Sequence, residues 1–292
     1  MEKNADMSER QNLSTVLITG AAGGLGSALV KTFLSKGLNV IATDLIMPEY
    51  IPDLDSQAAS AARDRFHCYG MDVTDDESVH EVRSLLEKEK IIPGIIINNA
   101  GTDSYFLFSE TPVSEFRRIF EVNCFGAYRV NQVFIPLLRK PGGRIIHIGS
   151  ESLNLTLPFM PYPLTKKLLE GYAKALRQEL KFIGIDVTVI RPGAIDTELL
   201  KTVSRLSEKQ ESCQDDNPVK KAFRSFTSQA SGEVGKVISP LKAAEFIFRV
   251  SQTPNPRAVY RINNMLQLRI AAMLPFSLLE IAVHKRLSKT NL

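Results

Sequence analysis

Two side chains in this sequence have the types and spacing to move a proton together. Tyr162-Pro163-Leu164-Thr165-Lys166 sets a phenol and an ammonium four residues apart, which on a helix makes them neighbours on one face. A phenol with a pKa of about 10 exchanges protons poorly near neutrality unless a cation stabilises its phenolate, and Lys166 is placed to supply that charge. The expected chemistry is proton transfer at a hydroxyl or carbonyl oxygen. A surface Tyr and Lys at this spacing are also common by chance, so the pair needs a site around it. Pro163 suits the first turn of a helix, where its missing N–H costs nothing.

A second group lies near the N-terminus. Thr19-Gly20-Ala21-Ala22-Gly23-Gly24-Leu25-Gly26 follows an apolar strand and opens an apolar helix. Such a turn lets backbone approach a pyrophosphate, whose charge the helix N-terminus holds. No Gly-Lys-Ser/Thr ending follows, which sets aside a P-loop nucleotidase. Asp44 stands 18 residues beyond Gly26 at the end of the next strand, where a carboxylate accepts hydrogen bonds from an adenosine ribose and repels a 2′-phosphate. Neither the turn nor the four residues after Asp44 contain Lys or Arg, so NAD is expected ahead of NADP. The plainer alternatives are a structural glycine turn and a solvated strand-end aspartate.

Short β-branched runs alternate with segments of helical period, the pattern of repeated βαβ units on a parallel sheet. Strands are expected at 15–19, 39–43, 65–71, 94–98, 143–148 and 186–191, and helices at 24–36, 76–88, 113–138 and 162–183. The runs IIIN and RIIHI are apolar almost throughout, as suits strands covered on both faces. The fold class is therefore α/β, a single Rossmann-like doubly wound parallel sheet with helices on both faces. A helix at 243–250 and an extended piece at 258–262 would bring the sheet to about seven strands. Between 197 and 240 the pattern is lost, and this stretch is expected to be an irregular lid over a substrate. Residues 1–12 are expected to be disordered, 13–262 to form the dinucleotide-binding catalytic domain, and 263–292 to form a basic amphipathic extension.

Composition restricts the class. The 292 residues are 44% hydrophobic and 23% charged with a mean hydropathy of −0.05, which describes a chain able to bury a sizeable core and excludes collagen-like, disordered and multi-span membrane classes. No run approaches the roughly 18 apolar residues of a spanning helix. The opening MEKNADMSERQN has neither signal-peptide nor transit-peptide pattern. Cys68, Cys124 and Cys213 are odd in number and far apart, which suggests free thiols in a reducing compartment, and no metal site is expected from them or from His67, His80, His147 and His284. A cytoplasmic location is expected. The net charge of +4 is concentrated at the end, where residues 257–292 hold six Lys/Arg and one Glu while the rest of the chain holds 30 basic and 31 acidic residues. So neutral a body argues against a nucleic-acid surface.

With these residues in view, the chain resembles the short-chain dehydrogenase/reductase family from about Leu13 to Thr197. The family's glycine motif T-G-x-x-x-G-x-G matches Thr19 to Gly26, its adenine-contacting aspartate matches Asp72 in Met71-Asp72-Val73, and its N-N-A-G matches Asn98-Asn99-Ala100-Gly101. Its catalytic asparagine matches Asn123, its catalytic serine Ser150, its Y-x-x-x-K Tyr162 and Lys166, and its P-G-x-x-x-T Pro192-Gly193 and Thr197. The resemblance implies hydride transfer between a carbinol carbon and a nicotinamide. Tyr162 would exchange the hydroxyl proton, Lys166 would lower the phenol's pKa and hold the nicotinamide ribose, Ser150 would hydrogen-bond the substrate oxygen, and Asn123 would support a water chain. One spacing departs from the family's pattern. The serine usually stands 13 residues before the tyrosine, whereas Ser150 stands 12 and Ser152 stands 10 before Tyr162. Ser150 is the assignment, because it ends the strand, and Ser152 is the second candidate.

Around the expected carbonyl position the sequence supplies Tyr105, Phe106, Phe108, Phe159 and Met160, with Leu199, Leu200, Phe223 and Phe226 from the lid. Of these, Tyr105, Phe159, Leu199 and Phe226 are the substrate candidates. No basic residue stands among them, although Arg205 and Arg224 in the lid are within reach of a carboxylate. An apolar pocket implies a lipophilic secondary alcohol or ketone such as a steroid or retinoid. A hydroxyacyl or hydroxybutyrate dehydrogenase is the alternative enzyme. A dinucleotide sensor without turnover is an alternative outside enzymes, and the Ser150, Tyr162, Lys166 and Asn123 set argues against it. The extension, with apolar clusters on either side of Pro275 and Lys285, Arg286 and Lys289 near its end, reads as two short amphipathic helices that contact a membrane surface or pack on the protein. It is similar to the extension of hydroxysteroid- and retinol-type members. The family also implies a homodimer or homotetramer built on the long helices beginning near Val113 and Tyr162.

Overall fold

The structure is a computed structural model that describes residues 13–46, 62–138, 142–200, 217–232, 237–263, 270 and 273–288. Expectations for residues 1–12, for Arg205 and for the first tail helix lie outside these residues or largely so.

Seven parallel strands form one sheet in the order β3-β2-β1-β4-β5-β6-β7. They are β1 (Thr15–Thr19), β2 (Asn39–Asp44), β3 (Phe66–Gly70), β4 (Ile95–Asn98), β5 (Arg144–Ile148), β6 (Asp186–Pro192) and β7 (Val259–Ile262). β1, β4 and β5 are buried along their whole length, which is why their sequences are nearly uninterrupted apolar runs. β1 pairs with β2 on one side, Val16 opposite Val40, and with β4 on the other, Val16 opposite Ile95. The chain order therefore reverses at the β1/β4 boundary. In open α/β sheets the crevice outside the carboxyl ends of the strands at such a reversal is where ligands bind.

Helices cover both faces. α1 (Gly24–Ser35) lies on one face, with Leu29, Phe33 and Leu34 fully or almost fully buried against β1, β2 and β4. α2 (Asp76–Glu89) lies on the other. Asp75 caps α2 by accepting a hydrogen bond from the Glu77 amide at 3.1 Å, and the helix ends at Lys90 in the left-handed region. The single helix expected over 113–138 is three pieces: α3 (Val113–Phe120), a π-helical turn (Glu121–Phe125) and α4 (Gly126–Phe134). α5 (Tyr162–Leu180) begins at the residue expected to open it and carries Pro163 in its first turn.

The segment expected to be irregular contains α6 (Pro218–Gly232). Val219, Ala222, Phe223 and Phe226 recur at helical spacing, and Phe223 is buried against Phe159. That apolar stripe drives the helix, although charged and polar residues hide its period in the sequence. α7 (Pro240–Gln252) packs on α1 and is capped by Ser239, which accepts from the Lys242 amide. α8 (Phe276–Ser288) is the second of the two tail helices expected around Pro275; it rests on α6 and buries Leu287. Among the described residues no helix is long and apolar enough to cross a membrane.

Candidate active site

The glycine turn and β4 are tied together by one hydroxyl. Thr19 Oγ1, at the end of β1 and almost fully buried, accepts from the backbone amides of Asn99 at 3.1 Å and Ala100 at 3.0 Å. Asn99 returns the contact, its Nδ2 donating to the carbonyls of Thr19 at 3.0 Å and Gly20 at 2.9 Å. Two motifs about 80 residues apart in sequence thus form one wall of the crevice. Gly20 has φ +65°, and a Cβ there would lie 2.8 Å from Ala100 Cα. A Cβ on Gly26 would fall 2.0 Å from the Gly20 carbonyl oxygen, so the turn closes only with hydrogen at both positions.

These features fit a dinucleotide. Gly23 precedes α1 in extended conformation with no side-chain cap, which leaves the helix amides of Gly24, Leu25 and Gly26 for an anion. Asp44 Oδ2 accepts from the Ala22 amide at 2.8 Å, which puts its carboxylate beside the turn where an adenosine ribose would lie. Asp72 fixes the loop after β3 by accepting from the Thr74 amide and hydroxyl, each at 2.8 Å, and buried Val73 packs on Gly126 of α4. Gly101 is exposed, and a Cβ on it would meet Asn123 Oδ1 and Lys166 Nζ. On the far side Pro192 ends β6, the Gly193 amide donates to the Ile262 carbonyl at 2.9 Å, and the Thr197 methyl approaches Gly24. These cofactor candidates stand at or just beyond the carboxyl ends of β1, β2, β3, β4 and β6.

The expected catalytic group converges at the same end of the sheet. Asn123 sits in the π-helical turn, a distortion that occurs disproportionately at functional sites, and is almost fully buried. Its Oδ1 accepts from the Thr102 amide at 2.8 Å, and its Nδ2 donates to the Thr102 carbonyl at 2.9 Å and to Thr165 Oγ1 at 3.0 Å. Thr102 and Thr165 were not singled out in the sequence; each adjoins or lies within a recognised motif. Lys166 is buried, with Nζ donating to the Ile148 carbonyl at 2.9 Å and lying 5.4 Å from the centre of the Tyr162 ring. Ser150 hydrogen-bonds Tyr162, while its Oγ lies 2.8 Å from Ser152 Oγ. The shorter serine-to-tyrosine spacing therefore still brings Ser150 to the phenol, with Ser152 beside it.

Electrostatics differ from the expectation in one respect. Burial holds the Tyr162 phenol above its ordinary value, the charge of Asp103 adds to this, and the Ser150 hydrogen bond opposes it. Lys166 is pulled down to about 8, first by burial, with Cys124 and Asp103 opposing. Burial disfavours the charged form of both partners and is the largest influence on each. Cys124 donates to the Thr165 carbonyl at 3.0 Å and is pushed up to about 11 by burial, so it is no nucleophile here. His147, fully buried on β5, is driven down to about 3 and stays neutral.

Asp103 is the residue the sequence reading passed over. It lies two residues beyond Asn98-Asn99-Ala100-Gly101, partly buried, and burial raises its carboxyl to about 6, opposed by the Ser104 amide, the Tyr105 hydroxyl and the charge of Lys166. An acid just before the aromatic run Tyr105-Phe106-Leu107-Phe108 was the available signal.

Of the substrate candidates, Tyr105, Phe159 and Phe226 meet in one cluster with Phe223, Leu287 and Val283. The Tyr105 and Phe226 rings are 6.3 Å apart, and those of Phe159 and Phe226 5.7 Å. Phe159 holds φ +67°, uncommon for an aromatic residue, and its carbonyl accepts from the Phe106 amide at 3.1 Å. Leu199 is half-buried and is not a member of that cluster. Phe106 and Phe108 stack instead with Phe116.

The family model described as short chain dehydrogenase matches residues 14–208. The chain belongs to the short-chain dehydrogenase family. An oxidoreductase of Bacillus subtilis, YusZ, whose function is described as uncharacterised, is 29% identical over 94% of this chain and 99% of its own length. The NADPH-dependent 3-dehydrocapnine reductase of Ornithobacterium rhinotracheale is 31% identical, over 63% of this chain and 66% of that protein. A solved short-chain dehydrogenase from Streptomyces avermitilis shares the fold with a TM-score of 0.71 at 24% identity, covering 95% of this chain and 98% of that one. As a member of that family the protein is an oxidoreductase that binds a nicotinamide cofactor.

Proposed function

We propose that the protein is an NAD(H)-dependent oxidoreductase that interconverts a lipophilic secondary alcohol and its ketone. The observation that carries this reading is the convergence of Ser150, Tyr162, Lys166 and Asn123 at the mouth of the glycine crevice, beneath an aromatic floor. The nicotinamide cofactor, held by the glycine turn and Asp44, would supply hydride-transfer chemistry at the carbinol or carbonyl carbon. Tyr162 gives its phenol proton to the substrate oxygen during reduction and, as the phenolate, takes the hydroxyl proton during oxidation, so that alcohol and oxidised cofactor balance ketone, reduced cofactor and one proton. Ser150 holds the substrate oxygen and stabilises the charge that develops on it. Lys166 Nζ stands beside Gly101, as does Asn123 Oδ1; there Lys166 would hold a ribose hydroxyl of the cofactor, and Asn123 would support a water chain to solvent. NAD is favoured over NADP by the Asp44 carboxylate beside the turn, although one relative is named for NADPH.

The substrate class rests on the aromatic cluster and on an adjoining, mainly apolar cavity of about 700 Å³ lined by Phe108, Phe159, Leu279 and Leu287 together with Lys221, Glu280 and His284. That size accepts a drug-sized or lipid-like molecule. Assembly as a homodimer or homotetramer is part of the proposal, supported by Phe125, Tyr128 and Leu168, which stand exposed on α4, α5 and the π-helical turn. Peripheral contact with an anionic membrane through the extension is supported by exposed Phe276, Leu278 and Ile281 together with Lys285 and Arg286.

Titration of NADH and NADPH fluorescence, followed by a panel of secondary alcohols in the same cuvette, tests the proposal. Tyr162→Phe is expected to abolish turnover and leave NADH binding nearly intact. Retained turnover in that variant, or a preference for NADPH, would refute the corresponding part.

A further inference from the structure

Glu151 follows Ser150 directly in the chain and opens the short helical turn Glu151–Asn154 that Ser150 caps. Its side chain belongs to a residue only 2% exposed, yet among the described residues neither of its carboxylate oxygens accepts a hydrogen bond. Its ion pair there is to Arg261 on β7, with Nε 3.8 Å from Oε2. Arg191, which stands opposite Arg261 where β6 pairs with β7, is taken up by the fork to Glu170. Burying a carboxylate with no hydrogen bond is costly, and turning the side chain outward would restore its water. An inward acid at this position therefore calls for a reason other than stability.

The turn that Glu151 opens carries the serine. Ser150 is extended, with φ −158° and ψ 150°, and its Oγ accepts from the Ser152 amide at 3.2 Å. On its N-terminal side the Gly149 amide donates to the Ile190 carbonyl at 2.8 Å, and a Cβ on Gly149 would lie 2.9 Å from Val189 Cγ1, so the chain is pressed onto β6. On its C-terminal side the inward residues of the turn are Glu151 and Leu153. Apolar burial has no direction, whereas an ion pair to a fixed partner does. Arg261 is such a partner. The residues after it pin the end of β7, because the Ile262 carbonyl accepts from the Gly193 amide at 2.9 Å and Asn263 Nδ2 donates to the Ala194 carbonyl at 2.9 Å.

We propose that Glu151 is a positioning residue for Ser150: paired with Arg261, it sets the rotation of the turn so that the serine hydroxyl faces Tyr162 and the substrate oxygen. The role of the serine rests on the oxidoreductase reading above. Glu151 acts only through Ser150, and the end of β7 becomes the reference from which the serine is aimed.

The test follows oxidation of cyclooctanol by NAD in the wild type, Glu151→Gln, Arg261→Met and Arg261→Lys. Misplacing a reacting group by about 1 Å costs roughly a hundredfold, so Glu151→Gln and Arg261→Met are expected to lower kcat about ten- to a hundredfold. The Kd for NADH, read by fluorescence, is expected to change less than about threefold. A single ion pair without a bidentate fork needs only the charge, so Arg261→Lys is expected to keep at least about half of the wild-type kcat. A pair that only stabilises the fold would lower Tm and leave kcat and KM of the folded enzyme unchanged, and that result overturns the proposal, as does an equal loss in Arg261→Lys and Arg261→Met. Crystal structures of the wild type and Glu151→Gln give a readout without turnover. Ser150 Oγ is expected to leave hydrogen-bonding distance of the Tyr162 hydroxyl in the variant, and an unmoved Ser150 refutes the positioning role. Where Glu151→Gln does not fold, Arg261→Met, altered at a side chain 35% exposed, replaces it in both measurements. If the wild type oxidises neither cyclooctanol nor any other secondary alcohol, the oxidoreductase reading fails by itself and the crystal structures alone decide on Glu151.

Discussion

Thr19→Val tests whether the crevice depends on one hydroxyl. The side chains have the same shape, so no cavity opens, but the acceptor of the Asn99 and Ala100 amides at 3.1 and 3.0 Å disappears. Both amides are partly buried at the end of β4, and neither has another partner in the turn. Each unsatisfied donor costs about 1–3 kcal/mol, and partial access to water puts both near the low end, for a total of about 2–4 kcal/mol. For a domain of this size that corresponds to a fall in Tm of roughly 4–16 °C. Thr19→Ser keeps the acceptor and loses one methyl, about 1 kcal/mol. Thermal unfolding of the three proteins without cofactor, followed by circular dichroism, makes the comparison, and the valine variant is also expected to bind dinucleotide more weakly because Asn99 no longer aligns the Gly20 carbonyl. Equal destabilisation by valine and serine would show that the hydroxyl does not hold the two motifs together.

Removing the carboxylate in Asp44→Ala is expected to weaken NADH binding about tenfold and to raise NADPH affinity relative to NADH, measured by fluorescence titration; an unchanged ratio would sever Asp44 from cofactor choice. Lys166→Met probes the cost of burying the ammonium. Its folded pKa of about 8 lies below the ordinary 10.5, so the unfolded chain binds the extra proton between those values, and stability rises with pH across that window. The penalty, up to about 3 kcal/mol, is complete below pH 8, so urea denaturation should show wild type gaining on the methionine variant between pH 7 and 10, and a constant difference would contradict the burial argument. Glu170→Gln breaks the buried fork to Arg191, whose bonds are 2.6 and 2.5 Å, and is expected to cost about 3–5 kcal/mol, whereas Glu170→Leu with Arg191→Met should cost less than the single change. Chemical denaturation of the three variants checks the order.

Much of the frame is legible locally. Thr15–Thr19 stands as a strand because an apolar β-branched run is bounded by Ser14 and Gly20, and α5 starts at Tyr162 because Pro163 belongs in a first turn. The glycine turn announces its own geometry, since Gly20 and Gly26 occupy places that admit no Cβ. Two elements escaped for physical reasons. A π-helical turn adds one residue to a helical repeat, too small a change to break the period over 113–138, and α6 buries a narrow stripe within a polar segment.

The sequence by itself determined the alternating α/β pattern, the glycine turn and the order of the motifs, because each depends on neighbouring residues and their spacing. Tertiary structure decided which serine meets Tyr162, where Lys166 directs its ammonium, and that Asp103 shares their site. Those outcomes depend on distances between segments far apart in the chain and on how much water each group keeps. Desolvation is a property of the assembled crevice, and it raises the Tyr162 phenol while it lowers Lys166.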